Sequence, residues 1–438
     1  MEKDENADPG LENRVVEATV ESDPKPESTD VSSNPTFPDG GLRAWDLFSL
    51  VLPHVLREDY SFGIAVAWGA FQAYYEQNTL KGYSSSSIAW IGSLQFSLIF
   101  MPVRIGSITG RLLDMGYHKL PLGLASIVLV LCAFLTAECS QYWHFLLCQG
   151  IGIGFASGVI FPPTLGLMSQ WFHKRRATAF GITACGTSLG GAVFPIMIRF
   201  LLPSVGFKWT VRILAFVMSF ALLLGFLTTA TRLPPRPVKR IFGLDVVKSK
   251  NVLFYAAASF FAFLGMYTIL TFLVVSAVVK GIDRNLAFYF VSIMNVASIV
   301  GRIMAGILGD NFGPLNVMIP FTMGAALVTY CWPYAHSVAG FVLIAVFYGV
   351  TFGAYVGLLP SPAASLGPLH SIGERIGFQL TIMSIAILIG SPIAGAIRDL
   401  PLGFRGAGAY AGSFIVLGVG FMMLTKKAVT KQWLHGRI

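Results

Sequence analysis

The stretch from Gln149 to Pro195 limits the fold more than any other. Gly150, Gly152 and Gly154 open an apolar run that reaches Trp171; Phe172, His173, Lys174, Arg175 and Arg176 form a basic turn; a second apolar run follows. Backbone amides in hydrocarbon must find partners within their own segment, so each run reads as a membrane helix. Short loops rich in Lys and Arg stay on the cytoplasmic side, which orients this hairpin with its turn inside the cell.

The rest of the chain repeats the pattern. Of 438 residues 54% are hydrophobic and 12% charged, with a mean hydropathy of +0.67. A soluble core does not require that much apolar surface, and runs of about 20 apolar residues match a hydrocarbon layer of roughly 30 Å. The net charge of +9 lies mostly in short turns between spans, with no basic face or reader motif beside it. It orients helices in a lipid bilayer and indicates no nucleic-acid partner. Cys132, Cys139, Cys148, Cys185 and Cys331 fall in or near spans without a CxxC pair, so neither a metal site nor a disulfide framework is expected.

Residues 1–37 hold ten acidic residues against Lys3, Arg14 and Lys25 and read as a disordered cytoplasmic tail. No cleaved signal is expected, because the basic and apolar regions of one are missing there, so the first membrane helix acts as the insertion signal. That first span is irregular: Leu47 to Leu56 is apolar, Arg57, Glu58 and Asp59 interrupt it, and Phe62 to Tyr75 resumes. Eleven further spans follow at roughly 88–108, 120–138, 144–170, 178–202, 210–231, 251–277, 286–308, 314–332, 338–359, 376–397 and 407–424. An even number returns both termini to the cytosol. The basic stretch 232–250 then reads as a cytoplasmic linker between a six-helix half, 38–231, and a second, 251–425, with 426–438 a cytoplasmic tail.

Internal similarity supports this division. Gly110 precedes Asp114 by four residues at the end of span 2, and Gly306 precedes Asp310 likewise at the end of span 8. Such a glycine permits close helix approach, and the aspartate at the cytoplasmic end is left to meet cations or a neighbouring helix N-terminus. Phe161-Pro162-Pro163 and Leu359-Pro360 form a weaker correspondence.

Several motifs together resemble the monocarboxylate porter family of the major facilitator superfamily, in its fungal form, over residues 38–425. They are Pro38-Asp39-Gly40-Gly41-Leu42-Arg43-Ala44-Trp45, Phe71-Gln72-Ala73-Tyr74-Tyr75, Ile88-Ala89-Trp90-Ile91-Gly92-Ser93, Trp171 to Arg176, Gly186 to Gly191, and Gly301-Arg302 with Asp310. The resemblance implies an all-α membrane protein, a twelve-helix bundle of two six-helix halves with a central cavity that opens to alternate sides. It also implies proton coupling and residence in the plasma membrane. Arg302 aligns with the family's arginine in span 8. Relatives that import small monocarboxylates place an aspartate one turn earlier, where this chain has Ser298, and a lysine in span 1, where it has Val66 and Ala67.

On physical grounds Arg302 lies eight residues before Asp310, about 12 Å into the helix at ~1.5 Å per residue. An arginine that deep faces a cavity or a partner, and its planar fork suits a carboxylate or phosphate. Arg104 lies about 15 Å deep in span 2 by the same measure. The candidate substrate site is therefore Arg302, Ser298, Arg104, Tyr74 and Tyr267, and the candidate gating set is Asp114, Asp310, Arg111, Arg175 and Arg176. Aromatic spans around the cations suit a medium-sized anionic or aromatic metabolite better than lactate. With no GxxxxGK[ST] run there is no nucleotide site, and no cofactor or metal is expected.

These features predict a secondary transporter for a small organic acid or metabolite, working as an exporter of a secondary product or as an importer of a nutrient carboxylate. A ligand sensor would need more than a short disordered tail. A membrane enzyme would need a catalytic constellation that the spans lack.

Overall fold

The computed structural model describes Trp68, Phe71, residues 74–83, 85–101, 119–161, 175–228, 249–367, 372–432 and 436. The described helices lie in one compact unit, Phe37–Ile438. In order they are α1 (Ser85–Phe100), α2 (Lys119–Thr136), α3 (Tyr142–Phe161), α4 (Arg176–Thr228), α5 (Lys250–Val279), α6 (Arg284–Phe312), α7 (Pro314–Cys331), α8 (Val338–Leu358), α9 (Pro360–Ser365), α10 (Ile372–Arg398) and α11 (Gly403–Thr430). No strand occurs among the described residues.

Helix α2 shows why this is a membrane protein. One face buries Leu122, Ala125, Leu129 and Ala133, and the other exposes Leu120, Leu124, Ile127, Leu131 and Leu135. A soluble helix pairs an apolar face with a polar one. A helix apolar on both faces has protein on one side and hydrocarbon on the other.

Nine described helices are long and apolar enough to cross a bilayer. One of these, Ala177–Leu227, has 51 residues. At ~1.5 Å per residue that is enough for two crossings of a layer of roughly 30 Å. The two arms of α4 meet at Gly206, whose φ of 75° lies in the left-handed region that glycine adopts without steric cost. The sequence suggests a gap from 203 to 209 there, yet the chain stays helical up to that single residue. With α1 as a shorter apolar helix, the spans expected from position 88 onward all have described counterparts. The irregular segment 46–60 lies outside the described residues.

Two segments depart from regular α-helix. Helix α3 contains a π-helical stretch, Leu146–Ile153. After α8, Pro360 supplies no N–H to continue the ladder, and the chain turns into the short α9.

The interior forms two apolar clusters. One gathers Phe71, Tyr75, Ile88, Leu129, Phe145, Phe194 and Leu214 from the first part of the chain. The other centres on α5 to α11 and takes in Ile99, Phe100, Ala177 and Phe180. Helix α4 meets α6, and α1 meets α10, so these two pairs join the early and late parts of the chain.

Candidate functional site

The first arm of α4 and helix α6 run antiparallel along one seam. At the end nearest the basic turn, the Asp310 carboxylate accepts hydrogen bonds from the backbone N–H groups of Ala177 (2.8 Å) and Thr178 (2.9 Å). Those N–H groups open a helix and have no partner within it, so a carboxylate completes them and complements the helix dipole. Gly306 makes the approach possible: a Cβ there would lie 2.9 Å from the Cα of Thr178. Gly181 likewise lies directly against the carbonyl of Arg302.

Two turns in from Asp310 on α6, Arg302 is buried, only 4% exposed. Its Nη1 donates to the carbonyl of Ala184 and to Oγ1 of Thr187, both on α4. Its stem packs over Gly357 of α8, where a Cβ would lie 3.2 Å from the Cα of Arg302. One turn further along, the Oγ atoms of Ser188 and Ser298 are 2.5 Å apart. Ser298 donates to the carbonyl of Asn295 at 2.9 Å, which leaves Ser188 as donor between the two hydroxyls. Asn295 then reaches the carbonyl of Gly191 (3.4 Å), and Arg199 lies over the ring of Tyr289 at 5.2 Å.

Tyr267 of α5 lies within electrostatic reach of the Arg302 guanidinium. Its ring meets Phe96 of α1 edge-on at 5.5 Å and lies 5.9 Å from Phe263, which in turn meets Tyr355 of α8 at 5.4 Å. One buried cation thus stands at the junction of α4, α6 and α8, and Tyr267 belongs to an aromatic group drawn from α1, α5 and α8. Such a setting can pair with an anionic group on one side and pack against an aromatic or apolar body on the other.

The model of the Major Facilitator Superfamily matches residues 44–391. This chain belongs to that superfamily. The transporter is similar to the aspyridones efflux protein apdF of Emericella nidulans, 34% identical over 384 residues that cover 87% of this chain and 77% of that protein. It is also similar to an agnestins efflux protein of Paecilomyces divaricatus, 35% identical over 372 residues, 84% of each chain. Among solved structures, the human organic anion transporter MFSD10 (TETRAN) superposes with a TM-score of 0.66 at 13% identity, over 87% of this chain and 100% of that one. At that identity the likeness shows the fold alone. The chain is therefore a multi-pass membrane transporter that binds a small molecule, and not an enzyme.

Within this transporter the residues singled out from sequence separate. Arg302, Ser298, Tyr267 and Asp310 gather along or beside the seam. Tyr74 does not join them: its ring stacks on Phe207 at 4.7 Å, next to the Gly206 break and at the far end of that arm from Thr187. Arg175 is exposed just before α4, and Arg176 is the first residue of that helix. Arg104, Arg111 and Asp114 lie outside the described residues.

Sequence reasoning missed four participants. Thr187 and the Ala184 carbonyl hold Arg302; their partner is 115 and 118 residues away, beyond any local pattern. Gln379 and Tyr255 both donate to the carbonyl of Leu359, at 3.3 and 2.7 Å, where Pro360 interrupts the helix. The proline is no direct signal for this, since its missing N–H frees the carbonyl of Val356, four residues back, and not that of Leu359.

Proposed function

We propose that this transporter exports an organic acid carrying an aromatic or extended apolar body, and that Arg302 receives its anionic group. The observation that carries this reading is the placement of Arg302: buried within a membrane span at the junction of α4, α6 and α8, with Tyr267 of an aromatic group within its electrostatic reach. A guanidinium presents a planar fork of donors that matches a carboxylate, and desolvation strengthens that match. Export is the direction named for the aspyridones and agnestins relatives, and MFSD10 is named as an organic anion transporter. Within the superfamily, the arginine of span 8 supports a likeness to monocarboxylate porters, while Ser298 in place of their aspartate favours a larger substrate than lactate.

The accompanying topology has two six-helix halves, 38–231 and 251–425, joined by the linker 232–250. Both termini and the basic turn Lys174 to Arg176 face the cytosol of a plasma-membrane protein. Asp310 then closes the cytoplasmic end of the seam, and a proton gradient is the coupling force expected.

Metabolite profiles of cells and medium test this reading in strains that lack the gene, carry Arg302→Ala, or carry the intact gene. An organic acid retained inside both the deletion and Arg302→Ala strains supports an exporter with a cationic site. Retention of a nutrient acid in the medium supports import instead, and identical profiles in all strains reject the carrier reading.

A further inference from the structure

Two described acceptors of Arg302, the Ala184 carbonyl and Thr187 Oγ1, are neutral and belong to α4. Thr187 Oγ1 donates its own proton to the carbonyl of Ala184 at 2.9 Å, so the hydroxyl oxygen is presented to Arg302 only as an acceptor. The Ala184 carbonyl accepts from both residues at once. A carboxylate can give a guanidinium a bidentate pair of opposite charges, which two separate neutral oxygens cannot. The pair therefore satisfies the cation well enough to close the seam and weakly enough to be replaced.

Described polar links join α4 and α6 on either side of this point. Asp310 secures one end through Ala177 and Thr178. Ser188 and Asn295 join α4 to α6 further along, through uncharged bonds. Arg302 is a charged link between them, and Cys185 lies beside it, its sulfur 3.2 Å from the carbonyl of Gly181 and 4.0 Å from that of Ile299 on α6. Building on the proposed role of Arg302, we propose that Thr187 is a positioning residue which, with the Ala184 carbonyl, holds the guanidinium in the unloaded carrier until an organic carboxylate displaces both. Loading then removes the middle link between α4 and α6. The affinity for the anion is set by competition with Thr187 as well as by contacts to substrate.

The test uses the full chain purified in lipid nanodiscs, with 1-naphthoate, a fluorescent aromatic carboxylate, as probe. Thr187→Val keeps the β-branched shape and removes the acceptor, and Thr187→Ser restores it. We expect Thr187→Val to bind 1-naphthoate about fivefold tighter, the worth of one modest hydrogen bond to a charged group. Without probe, N-ethylmaleimide should alkylate Cys185 several-fold faster in Thr187→Val than in wild type, read by peptide mass spectrometry, while exposed Cys331 reacts at an unchanged rate. Thr187→Ser should behave as wild type in both assays. A residue that merely packs would weaken binding when altered, so equal or weaker binding by Thr187→Val overturns the proposal, as does an unchanged Cys185 rate. If wild type fails to bind 1-naphthoate, the Cys185 rates alone decide. Arg302→Gln isolates the underlying reading: it should lose binding and label Cys185 quickly. Wild-type binding by Arg302→Gln would reject Arg302 as the anion site whatever Thr187 does.

Discussion

Arg302 and Arg375 are both buried, at 4% and 2% exposure, and they are held in different ways. Arg375 bonds the carbonyls of Ala363 (2.8 Å), Ala364 (2.8 Å) and Gly367 (3.2 Å), all within 12 residues of it in the chain. These carbonyls close the short α9, where helical partners run out and the dipole favours a cation. Arg302 instead takes its acceptors from a distant helix, and the Ala184 carbonyl keeps the Thr187 hydroxyl as partner when Arg302 leaves. The difference separates a fixture from a latch. Loss of Arg375 strands the buried carbonyls of Ala363 and Ala364, whereas loss of Arg302 leaves the Ala184 carbonyl bonded to the Thr187 hydroxyl. Burial of a charge therefore says nothing about its role until the alternatives open to its partners are counted.

The comparison predicts an order of effects on stability, read as heat unfolding of the purified protein. Arg375→Ala should cost about 3 kcal/mol or more, since stranded buried acceptors each cost ~1–3 kcal/mol. Unchanged stability of that variant would break the distinction. Asp310→Asn should cost about 1–2 kcal/mol, because the amide offers one oxygen to two N–H groups and carries no charge for the helix N-terminus. Arg302→Gln should cost less than about 1 kcal/mol, the net worth of an ordinary hydrogen bond, while efflux of the organic acid falls at least ~30-fold, the usual result of removing one partner of a buried charge pair. A fall in stability as large as that of Arg375→Ala would make Arg302 a fixture as well.

Glu138, an exposed carboxylate between α2 and α3, gives the smallest effect. It accepts hydrogen bonds from Lys208 (2.8 Å) and Arg212 (2.6 Å) of the second α4 arm. These bonds, Lys208 first, hold its carboxyl below the usual range. A lowered folded value means that whatever the contact contributes is present above the ordinary carboxylate pKa of about 4.3 and is lost as pH falls through the lowered value. Exposed pairs are weak and screened by salt, so Glu138→Gln should unfold like wild type at neutral pH. A pH series that shows a difference only on the acid side would confirm the sign.

Much of the fold was legible because the bilayer demands long apolar helices and leaves few alternatives. The spacing of Gly306 and Asp310 pointed to a close approach and to a carboxylate meeting cations or a helix N-terminus, and the structure shows the second. The depth of Arg302 announced a partner without naming it, since Thr187 and Ala184 become neighbours only once α4 and α6 lie side by side. Arg375 went unread for the opposite reason. It stands beside Glu374 at the edge of an apolar run, with no motif to mark it. Its role follows from the end of α9 at Ser365, whose last carbonyls it meets, and composition cannot show that. Tyr74 illustrates a third limit: aromatic residues in apolar spans differ in depth, and its ring belongs with Phe207 far along the helix.

The most direct test of Arg302 as the anion site is the rise in unfolding midpoint that 1-naphthoate gives the purified chain, compared between wild type and Arg302→Gln. Selective binding to the folded state must raise the midpoint with ligand concentration. The account predicts a concentration-dependent rise for wild type and none for Arg302→Gln, whose midpoint without ligand stays close to wild type. An equal rise in both proteins would contradict it.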